Sequence, residues 1–210
     1  MSRDLYMQYG CGLSAPDGWL NFDASPTLRL QRIPAIGGFF VLPGDYPKFP
    51  AAVRFGDIVE GLPLSERSCK GIYCSHVLEH LALEDFRSAL GNTLRYLEPG
   101  GIFRLVVPDL ERLTREYIDS PDDDAASRFM EGAYLGVRQR KRGVSGMLRG
   151  WLGNSAHLWM WDEKSMMREL RDAGFAAVRR ASVGDSADTR FSEVEDPGRW
   201  YGCLGIECRK

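Results

Sequence analysis

The sequence predicts an α/β fold in which a mostly parallel sheet is doubly wound. Short apolar runs that end at glycine, proline or an acid alternate with segments whose apolar residues recur at helical spacing. Strands interleaved with helices in this way are typical of an α/β sheet. The chain has 210 residues, 44% of them hydrophobic, so it can bury the core of one ordinary domain. No repeat or linker divides it, and we expect a single domain over residues 1–210.

The first part of the chain contains four predicted strands, each a short run rich in apolar residues: residues 4–9, 19–23, 51–58 and 71–74. Only ten residues separate Gly12 from Asp23, and they include Pro16 and Gly18. A crossover that contains a helix takes at least roughly 10–12 residues. We therefore expect the first helix to be very short or absent.

The later part of the chain contains two predicted helices and two more strands. Apolar residues spaced three and four apart predict a helix over residues 83–97, which the following Pro-Gly-Gly ends. A mostly apolar strand follows over residues 102–107. A second helix begins after Asp162 and stops at Gly174. Alternating residues over 200–208 predict a closing strand, which we expect to be antiparallel.

Composition limits the classes of partner. A net charge of −2 gives no reason to expect a nucleic-acid or membrane surface. No apolar run approaches the roughly 18 residues that span a bilayer, and the first residues lack the charged-then-apolar order of a signal peptide. Five cysteines are an odd number, typical of free thiols in a reducing compartment. We expect a cytoplasmic protein, and the sequence predicts no oligomeric state.

Glycines, acids and other polar residues stand where the first four predicted strands end. In chain order, the residues at these strand ends are Gly10, Cys11, Gly12, Asp23, Asp57, Ser75 and His76. Glycine lets the backbone turn and a ligand approach closely, and an acid after the second strand commonly holds ribose hydroxyls. Each residue alone is also compatible with an ordinary turn or cap. Together they predict one crevice at the carboxyl ends of the strands.

The same stretches carry a resemblance to a known family. Class I S-adenosylmethionine-dependent methyltransferases, in particular the small bacterial type 11 group, are similar to DLYMQYGCG, WLNFD, GDI, GIYCSHVLEHL, LEPGGIFRLVVPDL and NSAHLWMWDEKSMMRELRDAGF. These stretches cover nearly the whole chain, and the pair SHVLEHL and LEPGG is the most specific of them. The resemblance implies a Rossmann-like fold, S-adenosylmethionine as the cofactor, and methyl transfer as the activity.

The resemblance gives the loop after the first strand a role beside the methionine part of the cofactor. Gly10 and Gly12, with Cys11 between them, match the family's glycine loop, but the third glycine of that loop is Ser14 here. The missing helix also argues against a dinucleotide cofactor, because a pyrophosphate needs a helix N-terminus after such a loop. A nicotinamide-dependent oxidoreductase is therefore disfavoured.

The resemblance implies roles for the other three strand ends as well. Asp23 matches the acid that binds the ribose, and Asp57 matches the position beside the adenine. Ser75 and His76 match the strand end that faces the methionine part of the cofactor and the substrate.

Residues His76 to His80 also spell H-x-x-E-H, a zinc-protease signature. That signature requires both histidines in one helix, whereas His76 directly follows a predicted strand. The sequence marks no third ligand. We therefore expect no metal at this string.

Two stretches are predicted to be irregular insertions that cover the active site, residues 26–50 and residues 115–161. The second is rich in glycine, which permits a lid, and it ends in His157, Trp159 and Trp161. We expect His157 to face the acceptor and to act as a general base, or at least to orient the nucleophile. The alternative is a histidine packed in a hydrophobic plug.

The predicted function is S-adenosylmethionine-dependent methylation of a small-molecule or glycan acceptor. The alternative is a regulatory or scaffold protein that binds the cofactor without turnover. The sequence does not indicate whether the accepting atom is oxygen, nitrogen or carbon.

Overall fold

The computed structural model describes residues 4–33, 48–136 and 156–210. Its strands are β1 (Leu5–Tyr9), β2 (Trp19–Asp23), β3 (Val53–Phe55), β4 (Cys69–Ser75), β5 (Leu97–Pro108), β6 (Ala176–Ala181) and β7 (Cys203–Arg209). Its α-helices are α1 (Pro26–Gln31), α2 (Leu83–Tyr96), α3 (Leu110–Asp119), α4 (Ala125–Gly132), α5 (Glu163–Asp172) and α6 (Pro197–Trp200). Short 3-10 helices cover Leu78–His80 and Thr189–Glu193. None of the helices in these ranges has the length and apolar character needed to cross a membrane.

The seven strands form one sheet in the order β3-β2-β1-β4-β5-β7-β6. The first five strands along the chain pair in parallel, and β7 is antiparallel to both β5 and β6. The winding reverses between β1 and β4, which is where open α/β sheets bind their ligands. The predicted doubly wound fold with an antiparallel C-terminal strand is confirmed.

The turn between β1 and β2 explains how the fold manages without its first helix. Residues 10–18 contain turns and no helix, as predicted. The Cys11 amide donates to the Phe22 carbonyl (3.1 Å), and the Ser14 amide donates to the Cys11 carbonyl (3.0 Å). These bonds fold the loop back onto the end of β2, so that the end of β1 and the end of β2 face each other directly.

Most of the other predicted elements lie where the sequence placed them, with shifted bounds. Helix α2 ends at Tyr96, and β5 begins at Leu97, so the Pro-Gly-Gly after the helix lies within the strand. Glycine suits position 101, because a Cβ there would make a tight contact of 3.0 Å with the Cys69 carbonyl oxygen of the neighbouring strand.

The prediction of irregular insertions needs a correction. Residues 115–161 are not irregular throughout, because α3 continues to Asp119 and α4 covers Ala125–Gly132. Residues 26–50 are not irregular throughout either, because they begin with α1. Residues 34–47 and 137–155 lie outside the described residues, so the proposed covering role of the two stretches stays a prediction.

One face of the sheet is covered by α2 and α5. Their buried side chains pack on buried strand residues, and the cluster includes Met7, Ile72, Phe86, Leu90, Phe103, Leu105, Met166 and Leu170. The apolar period that predicted α2 therefore marks the helix face that contacts the sheet. This packing holds the 3-10 helix Leu78–His80 against the end of β4, since Leu78 belongs to the same cluster.

The opposite face is covered by residues 188–200, which we call the C-terminal cover. The Tyr6 hydroxyl donates to Asp188 (2.6 Å), and the Trp19 indole N–H donates to Glu193 (2.9 Å). Phe191 and Trp200 of the cover are buried against the sheet in the same apolar cluster as Tyr6 and Trp19. The cover thus closes a face of β1 and β2 on which no long helix packs within the described ranges.

Arg104 is a charged residue in the middle of β5 whose side chain is fully buried. Its Nε donates to Glu195 Oε1 (2.7 Å), and its Nη1 donates to Glu207 Oε2 (2.9 Å) and to Asp185 Oδ1 (2.9 Å). Its guanidinium also lies over the Trp200 ring, 4.9 Å from the centroid. This network joins β5 and β7 to the C-terminal cover.

Candidate active site

The carboxyl ends of β1, β2, β3 and β4 open into a cavity of about 740 Å³. A volume of this size suits a cofactor or small molecule. Its lining includes Gly10, Asp23, Ser25, Asp57, Ile58, His76, Val77, His80 and Leu81. Four of the seven predicted cofactor residues therefore line one cavity, which is the result expected for parallel strands that end at the same sheet edge.

The other three predicted cofactor residues line a neighbouring cavity of about 520 Å³. Cys11, Gly12 and Ser75 lie there, and the two cavities share Tyr9 and Gly10 in their linings. Burial, with a contribution from the nearby Asp23 charge, raises the pKa of the Cys11 thiol to about 12. Cys11 is therefore neutral at physiological pH.

The Gly10 loop requires glycine for two separate reasons. Gly10 and Gly12 have φ of +64° and +55°, in the left-handed region that residues with a Cβ adopt at a cost. A Cβ on Gly10 would also lie 1.9 Å from Val77 Cγ2, whereas a Cβ on Gly12 would meet nothing within 4 Å. The backbone of Gly10 is thus pressed against the start of the segment that carries His76 and His80.

Asp23 ties the two loops of the cavity together. Its Oδ2 accepts a hydrogen bond from the Gly12 amide (2.9 Å), and its Oδ1 accepts one from the Ser25 amide (2.8 Å). Each carboxylate oxygen has a second lone pair, so both can still accept a hydrogen bond from a ligand. Asp57 is held similarly, since its Oδ1 accepts from the Val59 amide (2.9 Å).

Ser75 faces away from the larger cavity. Its hydroxyl accepts from Arg199 Nε (2.8 Å), and its carbonyl accepts from Arg199 Nη2 (2.8 Å). Ser75 therefore positions Arg199 of the C-terminal cover beside the end of β4.

His76 has a backbone φ of +53°, which is unusual for a residue with a side chain. Its Nε2 lies 2.8 Å from the Arg199 carbonyl and 3.8 Å from Cys203 Sγ, and its Nδ1 lies 3.3 Å from Glu79 Oε1. Burial disfavours the charged ring, but the contacts with Cys203, Glu79 and the Arg199 carbonyl outweigh it and raise the pKa of His76 to about 10. His76 is thus an imidazolium at neutral pH.

All three histidines of the chain lie at this end of the sheet. The rings of His80 and His157 are 5.0 Å apart between centroids, and the His157 ring lies 4.9 Å from that of Tyr134. His80 lines the larger cavity, whereas His157 is 7% exposed and stands behind it. Burial lowers the pKa of His157 below its ordinary value, so the ring is neutral at physiological pH.

The segment that carries His157 is fixed to the 3-10 helix Leu78–His80 by two backbone hydrogen bonds and one side-chain contact. The Glu79 carbonyl accepts from the Leu158 amide (2.8 Å) and from the Trp159 amide (3.1 Å). His80 Nδ1 lies 3.0 Å from the Ala156 carbonyl. Sequence reasoning recognised His157 but not its neighbours Glu79 and His80, although the H-x-x-E-H string contained both.

Comparison with known proteins assigns the chain to a family. The model of a methyltransferase domain family matches residues 13–180, and the chain therefore belongs to that family. No curated protein matches the sequence significantly. Family and fold together confirm the prediction of a class I S-adenosylmethionine-dependent methyltransferase, whose cofactor is S-adenosylmethionine. Membership of the type 11 group stays a prediction.

Solved structures with the same fold come from distant relatives. A methyltransferase from Archaeoglobus fulgidus described as SAM-dependent has a TM-score of 0.52 and 14% identity, over 99% of this chain and 86% of that one. A possible histamine N-methyltransferase from Thermotoga maritima has a TM-score of 0.51 and 18% identity, over 98% and 82%. The complex between the Haloferax volcanii Trm112 methyltransferase activator and the putative methyltransferase has a TM-score of 0.51 and 18% identity, over 99% of this chain and 82% of that one. At such identities the likeness shows the fold alone.

The residues present fit S-adenosylmethionine. Gly10 leaves the floor of the larger cavity without a side chain, and Asp23 retains a free lone pair on each oxygen there. The cavity contains two acids at separate strand ends and carries no pyrophosphate-binding helix N-terminus after Gly12. A nucleoside with a phosphate-free substituent matches that lining.

Proposed function

We propose that this methyltransferase acts on a small-molecule or glycan acceptor, with its cofactor in the larger cavity. The observation that carries the proposal is that Gly10, Asp23, Asp57 and His76 line a single cavity at the switch point of the sheet. S-adenosylmethionine supplies an activated methyl group when bound. The protein then has mainly to align the acceptor and exclude water, which can supply several kcal/mol of barrier reduction.

Asp23 and Asp57 are proposed to bind the nucleoside part of the cofactor. The amides of Gly12 and Ser25 hold the Asp23 carboxylate in place before any ligand arrives. That carboxylate can therefore accept hydrogen bonds from two ribose hydroxyls without losing side-chain freedom. Asp57, fixed by the Val59 amide, is assigned to the adenine side.

Gly10, Cys11, Gly12, Ser75 and His76 are proposed to surround the methionine part. Gly10 belongs to both cavities, so a ligand that follows the loop passes from one lining to the other. Ser75 acts here through Arg199, which it holds by two hydrogen bonds.

The acceptor is proposed to approach from the side of His80. Trp159 and Tyr134 are 43% and 58% exposed and lie near the His157 segment, so their rings are free to pack on a sugar or another ring. His157 is proposed to act on the acceptor, as a general base or as an orienting residue. Its buried, neutral ring can accept a proton, and its position behind His80 favours the orienting role.

Two measurements test the proposal. Titration calorimetry with the demethylated cofactor should give one binding site per chain, and labelled methyl groups from S-adenosylmethionine should enter fractions of cell metabolites or glycans. His157→Ala should lower transfer by about 10²-fold or more while cofactor affinity changes little. Binding without transfer to any fraction would favour the scaffold alternative, and absence of binding would overturn the proposal.

A further inference from the structure

Glu79 is the most unusual polar residue at the end of the sheet. Its side chain is 1% exposed, and neither carboxylate oxygen has a hydrogen-bond partner among the described residues. Its nearest cation is His76, whose Nδ1 lies 3.3 Å from Oε1. A buried carboxylate normally accepts several hydrogen bonds or binds a cation, because burying a charge otherwise costs several kcal/mol. Oε1 therefore faces one cation and Oε2 has no polar partner among the described residues, which points to a missing ligand.

His80 and His157 complete a group around Glu79. Each of the three residues offers one ligand atom, and these atoms all lie within 4.8 Å of one another. Ligands of a tetrahedral cation with bonds of roughly 2.0–2.1 Å are about 3.4 Å apart. Small side-chain rotations therefore suffice to close the group around an ion.

The backbone around the group orients the His80 ring and places His157 beside Glu79. His80 Nδ1 faces the Ala156 carbonyl, which fixes the proton on Nδ1 and leaves the lone pair on Nε2. Histidine ligands commonly donate their other ring N–H to a carbonyl in this way. The two amides that bond to the Glu79 carbonyl place His157 beside Glu79.

We propose that Glu79, His80 and His157 bind a divalent transition-metal cation beside the cofactor cavity. Two imidazoles and one carboxylate suit zinc, manganese, cobalt or iron better than magnesium or calcium. His157 thus joins Glu79 and His80 of the H-x-x-E-H string as the third ligand. We expected no metal at this string from the sequence, and we now propose one. His76 is not a member of the group, whose three ligand atoms come from Glu79, His80 and His157.

The site bears on the acceptor, and this step rests on the proposed function. His80 lines the cofactor cavity, so a cation on its Nε2 side would lie next to the space assigned to the acceptor. Such a cation would act as a Lewis acid and lower the pKa of a hydroxyl bound to it. The acceptor class indicated is therefore a hydroxyl compound, and His157 would orient the nucleophile through the ion.

The test is titration of metal-free protein with cobalt(II), followed by visible absorption and calorimetry in the absence of cofactor. Wild-type protein should bind one equivalent and gain the ligand-field bands of nitrogen-coordinated cobalt. Glu79→Gln and His157→Gln should each weaken binding by at least about 100-fold. Glu84→Gln is the matched control, because the Glu84 side chain is exposed on the first turn of α2 and pairs with Arg87, so this variant should bind cobalt as the wild type does.

The outcomes separate this proposal from the proposed function. Cobalt binding that is absent in the wild type, or equal in Glu79→Gln and the wild type, overturns the metal site whatever the methyl transfer shows. If a variant fails to fold, the Tm of the wild type and of Glu84→Gln is measured with and without zinc. Zinc should raise the Tm of both proteins, and an unchanged Tm overturns the metal site. Binding of the demethylated cofactor to metal-free protein tests the proposed function alone.

Discussion

Replacing Asp23 by alanine should affect both stability and cofactor binding. The carboxylate accepts amide hydrogen bonds from Gly12 and Ser25, at 2.9 and 2.8 Å, across two loops. A hydrogen bond to a charged group contributes roughly 1.5–3 kcal/mol, and water can replace part of this in a half-buried loop. We expect a loss of about 1–3 kcal/mol. For a chain of this size, Tm should then fall by about 3–10 °C.

Cofactor binding should fall further than stability alone explains. Loss of one or two charge-assisted bonds to ribose hydroxyls should weaken binding of the demethylated cofactor by at least about tenfold. Titration calorimetry measures the affinity below the Tm of the variant, and differential scanning calorimetry measures the Tm. Asp17→Ala is the control, because it makes the same change at an exposed position of the same loop. Wild-type affinity in Asp23→Ala would remove Asp23 from the cofactor site.

Three further results are expected. Gly10→Ala should abolish cofactor binding or folding, because the new Cβ would clash with Val77. Gly12→Ala should lose only about 1–2 kcal/mol of stability, the cost of a left-handed backbone conformation. Equal Tm values for the two variants in thermal melts would contradict this. Arg104→Met should cost about 3–5 kcal/mol in urea unfolding because Glu195, whose side chain is 2% exposed, loses the cation with which it pairs among the described residues, and an unchanged midpoint would show that the network is neutral. Hydrogen bonds from Arg87 lower the pKa of Glu169 below its ordinary value of 4.5. The pair therefore stabilises the fold fully above pH 4.5, and this stabilisation is lost as the pH falls through the pKa that Glu169 has in the folded protein. In Arg87→Met, the free energy of unfolding should therefore fall less steeply with decreasing pH than in the wild type. An equally steep fall in the two proteins would refute this linkage.

Much of the parallel sheet could be predicted because its strands are continuous apolar runs that stop at polar residues. Strand β6 could not, since it is an edge strand whose Arg179 and Arg180 reach surface acids and carry no apolar period. Helix α3 had a signal that was missed. Asp109 caps it by accepting from two amides of the first turn, and an Asp before an apolar period marks such a start.

The cofactor half of the site could be predicted, and the histidine cluster could not. Asp23 and Asp57 converge because parallel strands bring their ends to one edge, which is a rule of topology. His157 reaches Glu79 only because the Leu158 and Trp159 amides bond to the Glu79 carbonyl. These bonds join Glu79 to residues 79 and 80 positions further along the chain, and no spacing in the sequence encodes them.

The C-terminal cover has a consequence for how the chain is made. Tyr6 and Asp188 are separated by 182 positions, and β7 must enter the sheet between β5 and β6. The first strands therefore leave the ribosome long before the residues that shield them, and pairing over such distances folds slowly. The family match ends at residue 180. We expect a nascent chain halted there to expose the unpaired edge of β5 and the rings of Tyr6 and Trp19, which the cover would otherwise bury. Such an intermediate is prone to aggregation, so synthesis in the cell should depend on chaperones until residue 209 has emerged.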